Sequence, residues 1–204
     1  MQGQALNKRQ RRGIADSARF LKTLVAAPRL TGAVAPSGRA LARAMAAAAG
    51  SPSSGLIVEL GPGTGPVTRS LIEDGVAQER LVLIEYDSEF CRLLKARFPR
   101  AAIIEGDAYD LPGALAPLRG QPVAAIVSSL PLLNQPPHRR TKLIGDAFAL
   151  MGPQGVFVQF TYGLASPVPR DASRYSAVRS RPILLNLPPA FVWTYRLDAR
   201  KPAR

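Results

Sequence analysis

The segment Val58-Glu59-Leu60-Gly61-Pro62-Gly63-Thr64-Gly65 constrains this chain most, because three glycines spaced by two follow a short apolar run and precede a helical pattern. Glycines at that spacing allow a tight turn and let backbone approach a ligand with no Cβ in the way. The pattern is not the dinucleotide fingerprint, whose sixth position is a glycine; here it is Pro66. With Glu59 ahead of the turn, a diphosphate is a poor occupant. A cationic aminoacyl sulfonium suits the segment better, since Glu59 accepts hydrogen bonds from an ammonium group while Gly61, Gly63 and Thr64 pass beneath the ligand. A lone glycine turn also occurs as plain structure, so the flanking pattern has to decide.

That pattern alternates regularly. Short apolar runs at 56–60, 81–84, 101–105, 123–128 and 156–162 read as strands, and 38–49, 67–74, 88–97 and 137–150 read as helices. Such alternation predicts an α/β fold with a parallel sheet covered on both faces. The end differs: 166–181 reads as a basic loop, and 182–186 with 191–197 as a terminal hairpin. Ser37 is the expected cap of the helix over 38–49.

The acids recur at strand ends. Glu85, followed by Tyr86, closes the second strand twenty residues after Gly65, where an acid accepts ribose hydroxyls. After the third strand, Asp107 is placed to accept from an adenine amino group, with the Ala108 backbone donating to the ring. Each alone also reads as a solvated strand-end acid. Together they form a constellation at the edge where ligands of open α/β sheets bind.

The 204 residues suffice for one domain with a sizeable core. We expect an N-terminal unit over 1–50 and a ligand-binding domain over 51–204. A single cysteine, Cys91, excludes an internal disulfide, and one histidine with one cysteine predicts no metal site. No run approaches a membrane span, and no apolar stretch follows the basic N-terminus as in a secretory signal, so a cytoplasmic location is expected. The formal net charge of +13 at pH 7 favours polyanionic partners, nucleic acid or an anionic membrane surface.

Residues 1–50 hold nine Lys or Arg against one acid, Asp16. Ile14, Ala18, Leu21 and Val25 share one helical face, while Lys8, Arg9, Arg11, Arg12, Arg19 and Lys22 supply charge. Two readings stand level: a helix packed on the domain, or one lying in a lipid boundary with its basic residues on anionic headgroups.

The ELGPGTG, LIEYD and EGDA segments, in that order, resemble the class I S-adenosylmethionine-dependent methyltransferases over about residues 56–162. The resemblance implies a Rossmann-like, mostly parallel seven-stranded sheet whose last strand is antiparallel, with S-adenosylmethionine bound above the first strands and S-adenosylhomocysteine as product. Adding residues 32–42 and SSLPLLN, nearly the whole chain resembles the bacterial phospholipid N-methyltransferases, which methylate phosphatidylethanolamine toward phosphatidylcholine. In that family and the related rRNA adenine dimethylases, the segment before the core closes over the donor's methionine end, a role that falls on Pro36 and Ser37.

The rRNA dimethylases carry Asn-Leu-Pro-aromatic after the fourth strand, where the aromatic stacks a flipped adenine. This chain has Ser129-Leu130-Pro131-Leu132, without the stacking platform, and it is not expected to carry their helical RNA-binding domain. Leu130, Leu132 and Leu133 suit a lipid mouth, although a strand-end leucine is often core. Ser128 and Leu130 are expected at the reacting centre, with Ser128 also against the donor. His138 follows two prolines and reads as a surface residue. Proton loss goes to water or to an oxygen such as Tyr175 or Asp107. In the basic loop, Arg174 or Arg179 is a candidate clamp for the lipid phosphate and Tyr175 a cation–π wall for the methylated nitrogen; a solvated basic loop is the plainer alternative. The expected partner is an anionic membrane surface holding the phospholipid, at the inner membrane face, with nucleic acid disfavoured.

Overall fold

A computed structural model describes residues 36–169, 174–186 and 188–198. The basic helix expected over Lys8, Arg9, Arg11, Arg12, Leu21, Lys22 and Val25 lies outside the described residues.

Seven strands form one sheet: β1 (Leu56–Leu60), β2 (Leu81–Glu85), β3 (Ala102–Glu105), β4 (Val123–Ser128), β5 (Val156–Thr161), β6 (Tyr175–Arg179) and β7 (Phe191–Leu197). Their order is β3-β2-β1-β4-β5-β7-β6, with β1 to β5 parallel and β7 antiparallel to both its neighbours. The strand order reverses at β1, so the loops after β1 and β4 diverge and open a crevice at the carboxyl ends.

Among the described residues five α-helices cover it. On one face lie α1 (Pro36–Ala49), α2 (Pro66–Glu73) and α3 (Ser88–Arg97), packing Leu41, Met45, Leu71 and Leu94 on Ile57, Leu83, Val127 and Val158. On the other, α4 (Leu111–Ala114) and α5 (Pro137–Met151) pack Leu111, Leu143, Ala147 and Phe148 on Val58, Ile84, Ile126 and Phe157. The central strands are buried on both faces, which is why they read as unbroken apolar runs. In α1 the buried Leu41, Ala42, Met45, Ala46 and Ala49 recur at helical spacing. Burying a side chain such as Met45 contributes about 1.5–3 kcal/mol.

Local signals fix the helix starts. Pro66 opens α2, where a missing N–H costs nothing, and Asp87 caps α3 by accepting from the amides of Glu89 (2.9 Å) and Phe90 (3.3 Å). Helix α1 starts at Pro36 rather than 38, so Ser37 lies inside its first turn and is not the cap.

The terminal hairpin is also corrected. The partner of β7 is β6, inside the stretch expected to be loop, while the 182–186 segment makes only an isolated bridge, Ile183 to Ala190. Tyr175 and Ala177 face the core on alternate positions, and as an edge strand β6 needs no longer apolar run. Pro182, lacking an N–H, disfavours a ladder where the hairpin was expected.

Candidate active site

Three backbone bonds continue the sheet past its strand ends: Gly61 N–H to Ile84 O, Gly106 N–H to Glu85 O and Ser129 N–H to Leu60 O, each 2.9 Å. They hold the glycine loop, the Gly106-Asp107 turn and the Ser129-Leu130 turn in register around the crevice. Gly61, Gly63 and Gly65 have φ of 66°, 57° and 81°. At Gly61 an added Cβ would stand 3.0 Å from Leu130 Cδ2, and at Gly65 it would stand 2.5 Å from Phe98 Cε2. Thr64 lends its carbonyl to Arg97 Nη1 at 2.6 Å, tying the loop to α3.

Glu59 is fully buried at the end of β1. Its Oε2 accepts from Thr68 Oγ1 at 2.6 Å, and its Oε1 is buried with no partner. Burial pushes its pKa up to about 8, the Thr68 hydrogen bond opposes this, and the charge of Glu85 adds to it. A bare acceptor beneath a glycine loop fits the ammonium group of an aminoacyl ligand. Glu85 accepts from Gly63 N–H at 3.0 Å through Oε2, and from the amides of Tyr86 (2.8 Å) and Asp87 (3.0 Å) through Oε1. A carboxylate offers roughly four lone-pair sites, so about one is left for a ribose hydroxyl rather than the two expected. Beside it the Tyr86 ring is 52% exposed.

Asp107 Oδ1 accepts from Tyr109 N–H at 2.9 Å, while Oδ2 lies 3.8 Å from Arg139 Nη2. Ala108 is buried beside it. The Arg139 guanidinium lies 4.7 Å from the centre of the Tyr109 ring, and burial raises the Tyr109 phenol above its ordinary pKa. Neither Tyr109 nor Arg139 was expected from sequence; Tyr109 is two residues past a strand-end acid, and that position is the signal.

Beyond the donor crevice, at the ends of β4 and β5, lies a cleft of about 150 Å³ lined chiefly by Leu130, Pro131, Leu132, Leu133, Phe160 and Tyr162. Its lining side chains are largely apolar. Ser128 is buried and its Oγ accepts from Leu130 N–H at 3.4 Å; the Leu130 carbonyl accepts from Gln159 Nε2 at 2.9 Å. Leu130 therefore stands between the two compartments, its side chain on the glycine loop and in the cleft wall. Phe160 and Tyr162, edge to face at 5.5 Å, were not expected; their place at the end of a parallel strand is the signal that would have found them.

The register corrects the loop residues. Ser128, Gln159, Trp193 and Arg179 form one row across β4, β5, β7 and β6 at the ligand edge. Tyr175 pairs with Leu197, four residues or about 13 Å below that row. It is a core residue: its ring packs on Phe148 and Tyr195, and its hydroxyl donates to the Pro169 carbonyl. It is neither cation–π wall nor proton acceptor. Arg174 sits at the same lower end and clamps nothing at the cleft. Arg179 does reach the ligand edge, but its Nη1 donates to Leu164 O at 2.9 Å and its guanidinium lies 4.9 Å from the Phe191 ring centre. His138 is exposed in the first turn of α5. The side chains of Pro36 and Ser37 lie outside the described residues. Among the described residues no His, Cys, Asp or Glu group is arranged to hold a metal ion, and no helix is long and apolar enough to cross a membrane.

The model of the ribosomal RNA adenine dimethylase family matches residues 40–115. That span covers the donor half, from α1 to α4, and stops before β4 and the cleft. The chain is 33% identical over 109 residues to an ornithine lipid N-methyltransferase from Singulisphaera acidiphila, covering 52% of this chain and 57% of that relative. It is 46% identical over 59 residues to a ribosomal RNA small subunit methyltransferase A from a Synechococcus strain, covering 28% of this chain and 20% of the relative. The chain thus spans little more than half of the first relative and a fifth of the second. Among solved structures, a TehB-like SAM-dependent methyltransferase from Corynebacterium glutamicum superposes with a TM-score of 0.58 at 15% identity, covering 90% of this chain and 99% of that one. An O-methyltransferase from Bacillus cereus in complex with S-adenosylhomocysteine gives 0.57 at 14% identity, covering 89% and 90%. The chain has the class I S-adenosylmethionine-dependent methyltransferase fold.

Proposed function

We propose that the protein is a methyltransferase acting on lipid amines: it N-methylates phosphatidylethanolamine and its mono- and dimethyl derivatives toward phosphatidylcholine, as a peripheral enzyme on the cytoplasmic face of the inner membrane. The observation that carries this reading is the apolar cleft at the ends of β4 and β5, whose wall includes Leu130, the residue that also packs on the glycine loop at Gly61. The ornithine lipid N-methyltransferase supports a lipid amine as acceptor. The basic segment with Lys8, Arg9, Arg11, Arg12 and Lys22, and the apolar Leu21 and Val25, suits attachment to an anionic surface.

Bound S-adenosylmethionine supplies an electrophilic methyl on a sulfonium. Glu59 Oε1 would hold the ammonium end, Glu85 Oε2 a ribose hydroxyl and Asp107 Oδ2 the adenine amino group, so the chain's part in catalysis would be alignment. Leu130, Pro131 and Leu132 keep water from the amine lone pair. The Leu130 carbonyl is occupied by Gln159 and takes no proton from the amine; the ammonium proton leaves to water through the mouth beside Leu133. Tyr162 is the aromatic that borders the cleft, and it takes the role of cation–π wall that Tyr175, buried in the core, does not fill.

A second reading, adenine N-methylation in rRNA, is favoured by the family match over 40–115 and by Tyr162 as a stacking surface. Incubation with labelled donor and vesicles containing phosphatidylethanolamine tests the main reading. It predicts labelled mono-, di- and trimethyl products in the lipid extract; an unlabelled extract with intact donor binding overturns it.

A further inference from the structure

Large aliphatic residues stand exposed along the ligand edge of the sheet. Leu133 is 51% exposed, Leu164 71%, Leu184 74% and Leu185 76%. Single exposed leucines are ordinary, but grouped ones are not. Leu133 follows β4 and Leu164 follows β5, both on connections leaving the carboxyl ends. Leu184 and Leu185 lie between Ile183 and Ala190, which bridge just before Phe191, the partner of the cleft residue Thr161. Arg179 ties these connections together by donating to Leu164 O while lying over Phe191. Arg181, also exposed, stands between Arg179 and the two leucines. Between Asp171 and Asp198 the sequence has four arginines and no acid.

We propose that Leu133, Leu164, Leu184 and Leu185, with Arg179 and Arg181, form a second membrane-contact surface, independent of the basic N-terminal segment, which seats the cleft mouth on an anionic bilayer. This rests on the lipid-amine reading for its purpose. Charge selects the occupant: cations interleaved with exposed leucines match headgroup phosphates above acyl chains. Position selects it too. Leu133 lines the cleft and is exposed at its rim, so a partner covering this edge seals the entrance unless it carries the acceptor itself, as a bilayer does.

The test uses the full chain. The L184S/L185S variant, checked for its fold by circular dichroism and for donor binding by calorimetry, is cosedimented with vesicles of phosphatidylcholine and phosphatidylglycerol. We expect at least a tenfold loss of vesicle association, with activity on detergent-dispersed phosphatidylethanolamine unchanged; undiminished association overturns the surface. Leu185→Trp gives an independent readout, because the single native tryptophan, Trp193, is buried. Its emission is expected to shift to the blue with anionic vesicles. No shift overturns the proposal, as does a shift with polyadenylate instead, which marks a nucleic-acid surface, or emission already blue without vesicles, which marks a cover from the chain itself. If the shift and the loss appear but no amine lipid is methylated, the surface stands and the lipid-amine reading fails. If lipid is methylated while L184S/L185S associates normally, the reading stands and the surface fails.

Discussion

The Glu85 carboxylate accepts the Gly63 amide at 3.0 Å, so the acid at the end of β2 and the glycine loop after β1 are one structural unit. Replacing Glu85 removes a ligand acceptor and also frees the loop. We predict that Glu85→Ala weakens donor binding by ten- to a hundredfold, as expected for one charged hydrogen bond of about 1.5–3 kcal/mol. An unchanged dissociation constant by calorimetry, with the fold intact, would remove Glu85 from the site.

Glu59 makes donor binding depend on pH. With its pKa raised to about 8, it is mostly protonated at pH 7 in the free protein, and a ligand ammonium at Oε1 favours the ionised form. Donor binding at pH 7 should therefore release a proton and tighten as pH rises toward 8. Calorimetry in buffers of different ionisation enthalpy reads this directly; Glu59→Gln should abolish the proton release. The same shift sets the free protein's stability. A carboxyl whose folded pKa is raised stabilises below its unfolded value of 4.5, and the contribution is lost as pH rises to about 8. At about 1.4 kcal/mol per pH unit the loss is on the order of 5 kcal/mol.

Gly65 tests the loop's packing. An alanine there would keep φ at 81° and place a methyl 2.5 Å from Phe98 Cε2. Backbone strain of about 1–2 kcal/mol and overpacking of about 1–3 kcal/mol both oppose it. Gly65→Ala should lower unfolding free energy in urea by at least about 2 kcal/mol; wild-type stability would show that the loop adapts.

Tyr175 tests the corrected register. Tyr175→Phe loses the bond to the Pro169 carbonyl and should cost about 0.5–1.5 kcal/mol of stability, leaving donor affinity and turnover unchanged. A large fall in turnover at unchanged stability would return Tyr175 to the reacting centre.

The legible parts of this chain were those set by local chemistry. Apolar runs mark β1, β2 and β4 because both their faces are covered; Asp87 caps α3 and Pro66 opens α2 just after the cap position, Gly65. That Glu59, Glu85 and Asp107 share one edge was legible because strand-end acids in a parallel sheet converge there. The end of the chain was not. Whether Tyr175 sits at the ligand edge or about 13 Å below it depends on where the chain re-enters the sheet after β5, and β6 is an edge strand whose five residues carry little apolar signal. Phe160 and Tyr162 escaped notice because strand end and cleft wall look alike until the loop after β4 is placed beside them.

The central claim, a donor site that feeds a lipid amine, is tested most directly by competition in one vessel. The full chain is given labelled S-adenosylmethionine together with phosphatidylethanolamine vesicles and ribosomal RNA, and label is counted in the lipid extract and in the precipitated RNA. We predict label in the lipid as N-methyl groups and none above background in the RNA; label in the RNA with an unlabelled lipid extract would contradict the account.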